Sequence, residues 1–233
     1  LSSFQLETIS QFRADVAVWM NFAPDHIDRY KSLEDYRDAK LRIFENQTPG
    51  DWSVVRKGED IGSVDSRVVT FSASDSTSDY RLAGSSIVSK SGEVIIDFSR
   101  TRLNGRHNAE NVMAAVAAAE CAGIDPSDMV DTILNYTPPA HRCEVINTVE
   151  GVVYVNDSKA TNLHAISSSL AGQMQPVVLI AGGKEKGLDF SELSALVEER
   201  VNEVVCIGEI ASKIVDVWGD RVPCTQAATL EEA

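Results

Sequence analysis

VVLIAGGKEKGLDFSELSALVEERVNEVVCIGEIASKIVDVWG, residues 177–219, is the stretch whose pattern decides the fold. A short apolar run, VVLIAGG (177–183), leads into SELSALVEER (191–200), whose apolar residues recur at helical spacing. The unit then repeats, with VVCIG (204–208) followed by EIASKIVDVWG (209–219). Short apolar strands alternating with amphipathic helices specify an α/β fold, a parallel sheet with helices on both faces. Ligands of such folds sit beyond the carboxyl ends of the strands.

Immediately upstream, VVYV (152–155) reads as an earlier strand of the same series, and it ends in NDSKATN (156–162) before a helical stretch, HAISSSLAG. Asp157 suits a ribose hydroxyl or a metal-bound water, Lys159 an anion, and Thr161 or Asn162 the cap of the helix. An Asx-type turn with an N-cap accounts for the same residues without any ligand. AGGKEKG (181–187) follows a strand with glycines and lysines, but a P-loop requires G-K-[ST] and Lys184 is followed by Glu185. No other segment fits that pattern. Lys184 and Lys186 suit a carboxylate or phosphate, and a solvated turn is the plainer alternative.

Paired prolines in TPPAHR (137–142) mark a linker and divide the chain into 1–138 and 139–233. Ahead of it the pattern predicts a strand in ADVAVWM (14–20), a helix over 33–46, a strand at VVTF (68–71) and a hairpin turning on Ser91-Gly92. An alanine-rich helix over 108–122 and a second near 127–135 close that part. GRHNAEN (105–111) opens the alanine-rich helix, and Asn108 and Asn111 project from one side of its first turn, where free N–H groups favour polar or anionic ligands. Asn108 also reads as an N-cap, and His107 as a structural histidine rather than an acid or base.

In SLEDYRDAKLRIFEN, Ser32 and Asp35 form a capping pair, and Leu33, Tyr36, Lys40 and Phe44 share one helical face. Lys40 interrupts that apolar stripe. A buried lysine loses its proton more readily, and the neutral amine takes up carbon dioxide to give an anionic carbamate able to bind a metal; the alternative is an ammonium that snorkels to solvent. In NFAPDHIDRY, His26 stands between Asp25 and Asp28, a set suited to a divalent ion or simply to ending a loop.

A net charge of −14 excludes a protein that grips nucleic-acid backbone through a basic stripe. No apolar run approaches the roughly 18 residues of a membrane span. Four scattered cysteines without a C-x-x-C pair suggest neither a zinc site nor a disulfide framework, so reduced cytosolic thiols are expected. LSSFQLET opens as if inside a fold, and TLEEA, capped by Thr229, starts a helix that stops early. The chain is expected to be a piece of a longer protein.

LSSFQLE, PDHIDRY, DAKLRIFEN, GRHNAEN, His141-Arg142, NDSKATN and GGKEKGLDF, in this order across nearly the whole chain, resemble the Mur ligase family. The resemblance implies a three-domain, ATP-dependent ligase of peptidoglycan precursor synthesis. Residues 1–138 would be the later part of its central ATP-binding domain and 139–233 a Rossmann-like ligase domain. ATP would phosphorylate the carboxylate of UDP-N-acetylmuramoyl-L-alanine, and the amine of D-glutamate would attack the acyl phosphate. His26 and a carbamylated Lys40 would be magnesium ligands, and these two with Lys159 the catalytic set. Asn108 and Asn111 would face adenine, while Arg142 and Asp157 would hold phosphates and ribose. Lys159, Thr161 and Lys186 would bind the D-glutamate carboxylates, and Ser2, in LSSFQLE, would face substrate.

The family's P-loop and UDP-binding domain lie outside these residues, so the chain alone is expected to be inactive; Leu163-His164 also departs from the small pair usual after NDSKATN. The family further implies a cytoplasmic monomer without membrane insertion. A sister ligase adding another amino acid, or glutamates to folate, and a non-catalytic nucleotide-binding fragment are the alternatives.

Overall fold

Residues 1–24, 29–173 and 175–233 are described in a computed structural model, and they form two units, Leu1–Thr137 and Pro138–Ala233. In the first, four parallel strands stand side by side: β1 (Val16–Trp19), β2 (Trp52–Arg56), β3 (Arg67–Ser72) and β4 (Tyr80–Ala83). The hairpin of β5 (Ser86–Val88) and β6 (Val94–Asp97) continues the sheet antiparallel, in the order β1-β2-β3-β4-β5-β6. The turn expected at Ser91-Gly92 is present, and Gly92 supplies the left-handed φ of 83°. Such a φ strains any residue with a Cβ.

Four helices accompany this sheet: α1 (Ser3–Leu6), α2 (Leu33–Leu41), α3 (Arg106–Cys121) and α4 (Val130–Asn135). Helix α3 buries Ala109, Met113, Val116 and Ala117 completely, against a core that includes Val54, Phe71 and Ile87. At roughly 25 cal/mol per Å² of apolar surface removed from water, this face is what holds the helix to the sheet. The helix expected over 33–46 stops at Leu41 and tightens into a 3-10 turn, Arg42–Phe44, where the Arg42 guanidinium turns back to the carbonyls of Glu7 and Ile9. Strands β2 and β4 were not expected from sequence.

The second unit contains a parallel sheet ordered β11-β10-β9, with β9 at Val177–Gly183, β10 at Val201–Gly208 and β11 at Cys224–Ala227. Helices α5 (Leu163–Ala171), α6 (Ser194–Arg200) and α7 (Ala211–Trp218) close a core around Val197, Val204, Cys206, Ile214 and Trp218. The Trp218 ring meets Phe190 edge to face and donates its indole N–H to the Phe190 carbonyl at 3.0 Å, so its polar atom is satisfied. Gly182 is required where β9 passes β10, since a Cβ there would lie 1.9 Å from the Ile207 carbonyl oxygen.

Three expectations fail in this unit. VVYV does not join the parallel sheet: as β8 (Val152–Asn156) it pairs antiparallel with β7 (Glu144–Val149) in a separate two-stranded sheet. Glu150 and Gly151, with φ of 51° and 85°, form the two-residue turn that favours this local pairing over a distant parallel one. Among the described residues, helices also leave one face of β9 uncovered, with Val178 and Ile180 61% and 47% exposed. Near Thr229 there is a turn and no helix, although the Thr229 hydroxyl accepts from the Glu232 N–H as a cap would. One capped turn does not offset the cost of nucleating a helix.

Candidate functional site

In the first unit the polar side chains gather where the parallel strands end. Trp19, last in β1, donates its indole N–H to Glu59 at 3.1 Å. Glu59 lies 3.8 Å from the guanidinium of Arg56, last in β2. Arg56 Nε donates to Glu110 of α3 at 2.8 Å, and the other Glu110 oxygen accepts the Ala73 N–H, just past β3, at 3.1 Å. Arg56 and Glu59 also line a shallow cavity of about 360 Å³ with Lys57, Ile61 and Val68.

Asn108, half-buried, and Asn111, exposed, stand on one flank of the same helix. The Asn108 amide donates to the Asn104 carbonyl at 2.8 Å, and Asn111 donates to Asn108 Oδ1 at 3.3 Å, so the two amides are linked in a chain. The N-cap of α3 is Gly105 and not Asn108, which is the third helical residue. Gly105 has φ 83°, and a Cβ there would lie 2.9 Å from the His107 ring, so His107 packs over the helix start.

His26 lies outside the described residues. Lys40 is half-buried, with its ammonium 5.1 Å from the centre of the Tyr36 ring. An ammonium so placed makes a cation–π contact with the ring, and the expected role as a metal ligand needs the carbamate instead. Among the described residues no group of three or more His, Cys, Asp or Glu side chains is placed to hold a metal. Ser2 caps α1: its hydroxyl accepts from the Gln5 N–H and its own N–H is returned to the Gln5 side chain at 2.9 Å.

In the second unit NDSKATN clasps the turn that carries Arg142. Asp157 Oδ1 accepts the Cys143 N–H at 3.0 Å, the Lys159 N–H donates to the His141 carbonyl at 3.2 Å, and Asn156 bonds the His141 ring at 2.9 Å. His141 and Cys143 hold left-handed φ of 68° and 45°, so Arg142 is presented between two strained residues. Asn156 makes the Asx turn to Ser158, and Asn162 caps α5 through the Ala165 N–H at 2.9 Å. The turn and the cap expected of this stretch are both present, and Arg142, Lys159 and Thr161 are left exposed.

Lys186 sits in the loop after β9, where Glu185 accepts from the Gly187 N–H at 2.5 Å and from Lys213 of α7 at 3.0 Å. These bonds hold the Glu185 carboxyl below its ordinary range, the Gly187 N–H contributing most. Because β8 and β9 belong to different sheets, Lys159 and Lys186 are not at neighbouring strand ends as the sequence pattern predicted. Sequence reasoning missed Arg56, Glu110, Asn156 and Glu185. The signals available for them were local: Glu110 lies inside GRHNAEN, and Asn156 and Glu185 border the chosen lysines and acid.

The profile of the Mur ligase middle domain matches residues 1–119, and that of the Mur ligase glutamate ligase domain matches 141–233. The chain is 40% identical, over its full length and 53% of the relative's, to UDP-N-acetylmuramoylalanine–D-glutamate ligase of Geotalea daltonii. It thus spans about half the length of the curated relatives it matches. UDP-N-acetylmuramate-alanine ligase MurC from Thermotoga maritima superposes with TM-score 0.72 at 17% identity, covering 99% of this chain and 54% of that one. MurF ligase from the same organism, solved in complex with ADP, gives TM-score 0.58 at 15% identity over 93% of this chain and 59% of that one. With both family profiles matched in order on a mixed α/β fold shared with such ligases, the chain belongs to the Mur ligase family.

Proposed function

We propose that this chain is part of an ATP-dependent ligase that joins D-glutamate to UDP-N-acetylmuramoyl-L-alanine, a cytoplasmic and monomeric enzyme of peptidoglycan precursor synthesis. The observation that carries this reading is the 40% identity, over the whole chain, with a relative whose name states that reaction. The polar residues suit it. Forming an acyl phosphate and attacking it with an amine brings several anions together, so fixed cations and positioned amides matter more than a side-chain nucleophile.

In this reading Asn108 and Asn111 meet the adenine end of ATP. Arg142, held between two left-handed residues, and Asp157 meet its phosphates and ribose. Lys159, Thr161 and Lys186 receive the two carboxylates of D-glutamate and orient its amine, and Ser2 faces the UDP-linked substrate. Lys40 as a carbamate, with His26, would hold a magnesium ion, whose chemistry is to neutralise charge on the transferred phosphoryl group.

The test is release of ADP by the full-length protein given ATP, magnesium and UDP-N-acetylmuramoyl-L-alanine, with D-glutamate compared against L-glutamate and other amino acids. Turnover that depends on D-glutamate is the expected result. Turnover with a different amino acid removes the assignment of Lys159, Thr161 and Lys186, and none with any amino acid overturns the ligase reading.

A further inference from the structure

We propose that Glu110 is a positioning residue that sets the roll of helix α3, and so aims the Asn108–Asn111 flank, by bonding the carboxyl ends of β2 and β3. The inference rests on the reading that this flank faces the adenine end of ATP. Glu110 is 9% exposed, one of two buried charged residues, with Asp51, among the described residues. Burying a carboxylate is costly unless its oxygens are satisfied, and both are: one accepts from Arg56 Nε at 2.8 Å, the other from the Ala73 N–H at 3.1 Å.

The rest of the α3 interface explains why such a bond is needed. Its buried face combines Ala109, Ala114 and Ala117 with Val112, Met113 and Val116, all of them apolar. Apolar contact is non-directional, so this face holds the helix to the sheet without by itself setting the direction in which its polar flank points. Hydrogen bonds have direction. At about 100° per residue, Glu110 lies some 160° around the helix from Asn108 and 100° from Asn111. Tying it to two strand ends therefore turns the amides to a set position on the opposite flank. The tie continues through Arg56 to Glu59 and from Glu59 to Trp19, so the ends of β1, β2 and β3 all enter the same network.

The experiment is steady-state kinetics of the full-length protein carrying Glu110→Gln, which keeps an acceptor for Ala73 but turns an amide N–H₂ group or a weaker oxygen toward Arg56. The KM for MgATP should rise about tenfold while the KM values for D-glutamate and the UDP-linked substrate stay within about twofold. Arg56→Gln, which removes the guanidinium at a half-exposed position, should raise the MgATP KM about threefold and decides the matter if Glu110→Gln does not fold. An unchanged MgATP KM, or a uniform loss of active enzyme with every KM preserved, makes Glu110 a purely structural acid and overturns the inference. A wild-type protein without ATP-dependent turnover defeats the underlying reading instead.

Discussion

Replacing Gln47 by methionine should destabilise the first unit by about 2–3 kcal/mol. Gln47 is 5% exposed and makes four hydrogen bonds. Its Nε2 donates to the carbonyls of Ala14 and Trp52, both at 2.9 Å, and its Oε1 accepts from Ser53 at 2.7 Å and Ser66 at 2.9 Å. These bonds fasten the entry to β1 against the start of β2. Methionine keeps the length and removes every donor and acceptor. The two serine hydroxyls are 2.7 Å apart and can satisfy one another, so the loss falls on two part-buried carbonyls, each at about 2 kcal/mol. Burying the thioether returns about 1.5 kcal/mol. At about 2 cal/mol/K of unfolding entropy per residue, the unit Leu1–Thr137 should melt about 9 °C lower. Differential scanning calorimetry of wild type and variant reads this directly. A fall under about 2 °C, or a rise, would show that the carbonyls find other donors and that the four-bond arrangement contributes little.

Two further outcomes follow from the second unit. Burial, helped by the neighbouring Cys224 thiol, pushes the Cys206 thiol from 9.0 up to about 11. The native state then holds this proton where the unfolded chain has lost it, so its contribution is complete below pH 9 and disappears as the pH rises from 9 through 11. Melting midpoints across that window should fall more steeply in wild type than in Cys206→Ala, and parallel curves would exclude Cys206 as the group responsible. Cys143 has φ 45°, so Cys143→Gly should be more stable than Cys143→Ala by about 1 kcal/mol, because only glycine adopts that conformation without strain. Denaturant midpoints that rank alanine equal or higher would mean the turn relaxes freely.

Much of the architecture was present in local patterns. The repeat of apolar run and amphipathic segment over 177–219 predicts β9, β10 and their helices, and Ser91-Gly92 predicts the β5–β6 hairpin, because side-chain periodicity and turn residues act over a few positions. NDSKATN was likewise legible as a strand end, an Asx turn and a capped helix. The partner of that strand was not legible in the same way. VVYV suits a parallel or an antiparallel neighbour equally, and the preceding EVINTV with the Glu150-Gly151 turn decided the pairing. The setting of the candidate site lies further from sequence still. Glu110 meets Arg56 across 54 residues and Ala73 across 37. No local pattern selects those partners among all other acids, cations and amides. Short-range spacing therefore determined which segments became strands and helices, and which polar residues stood at their ends. Only the packed tertiary structure decided which groups meet, because directional bonds between distant residues exist only once the core has brought the elements together.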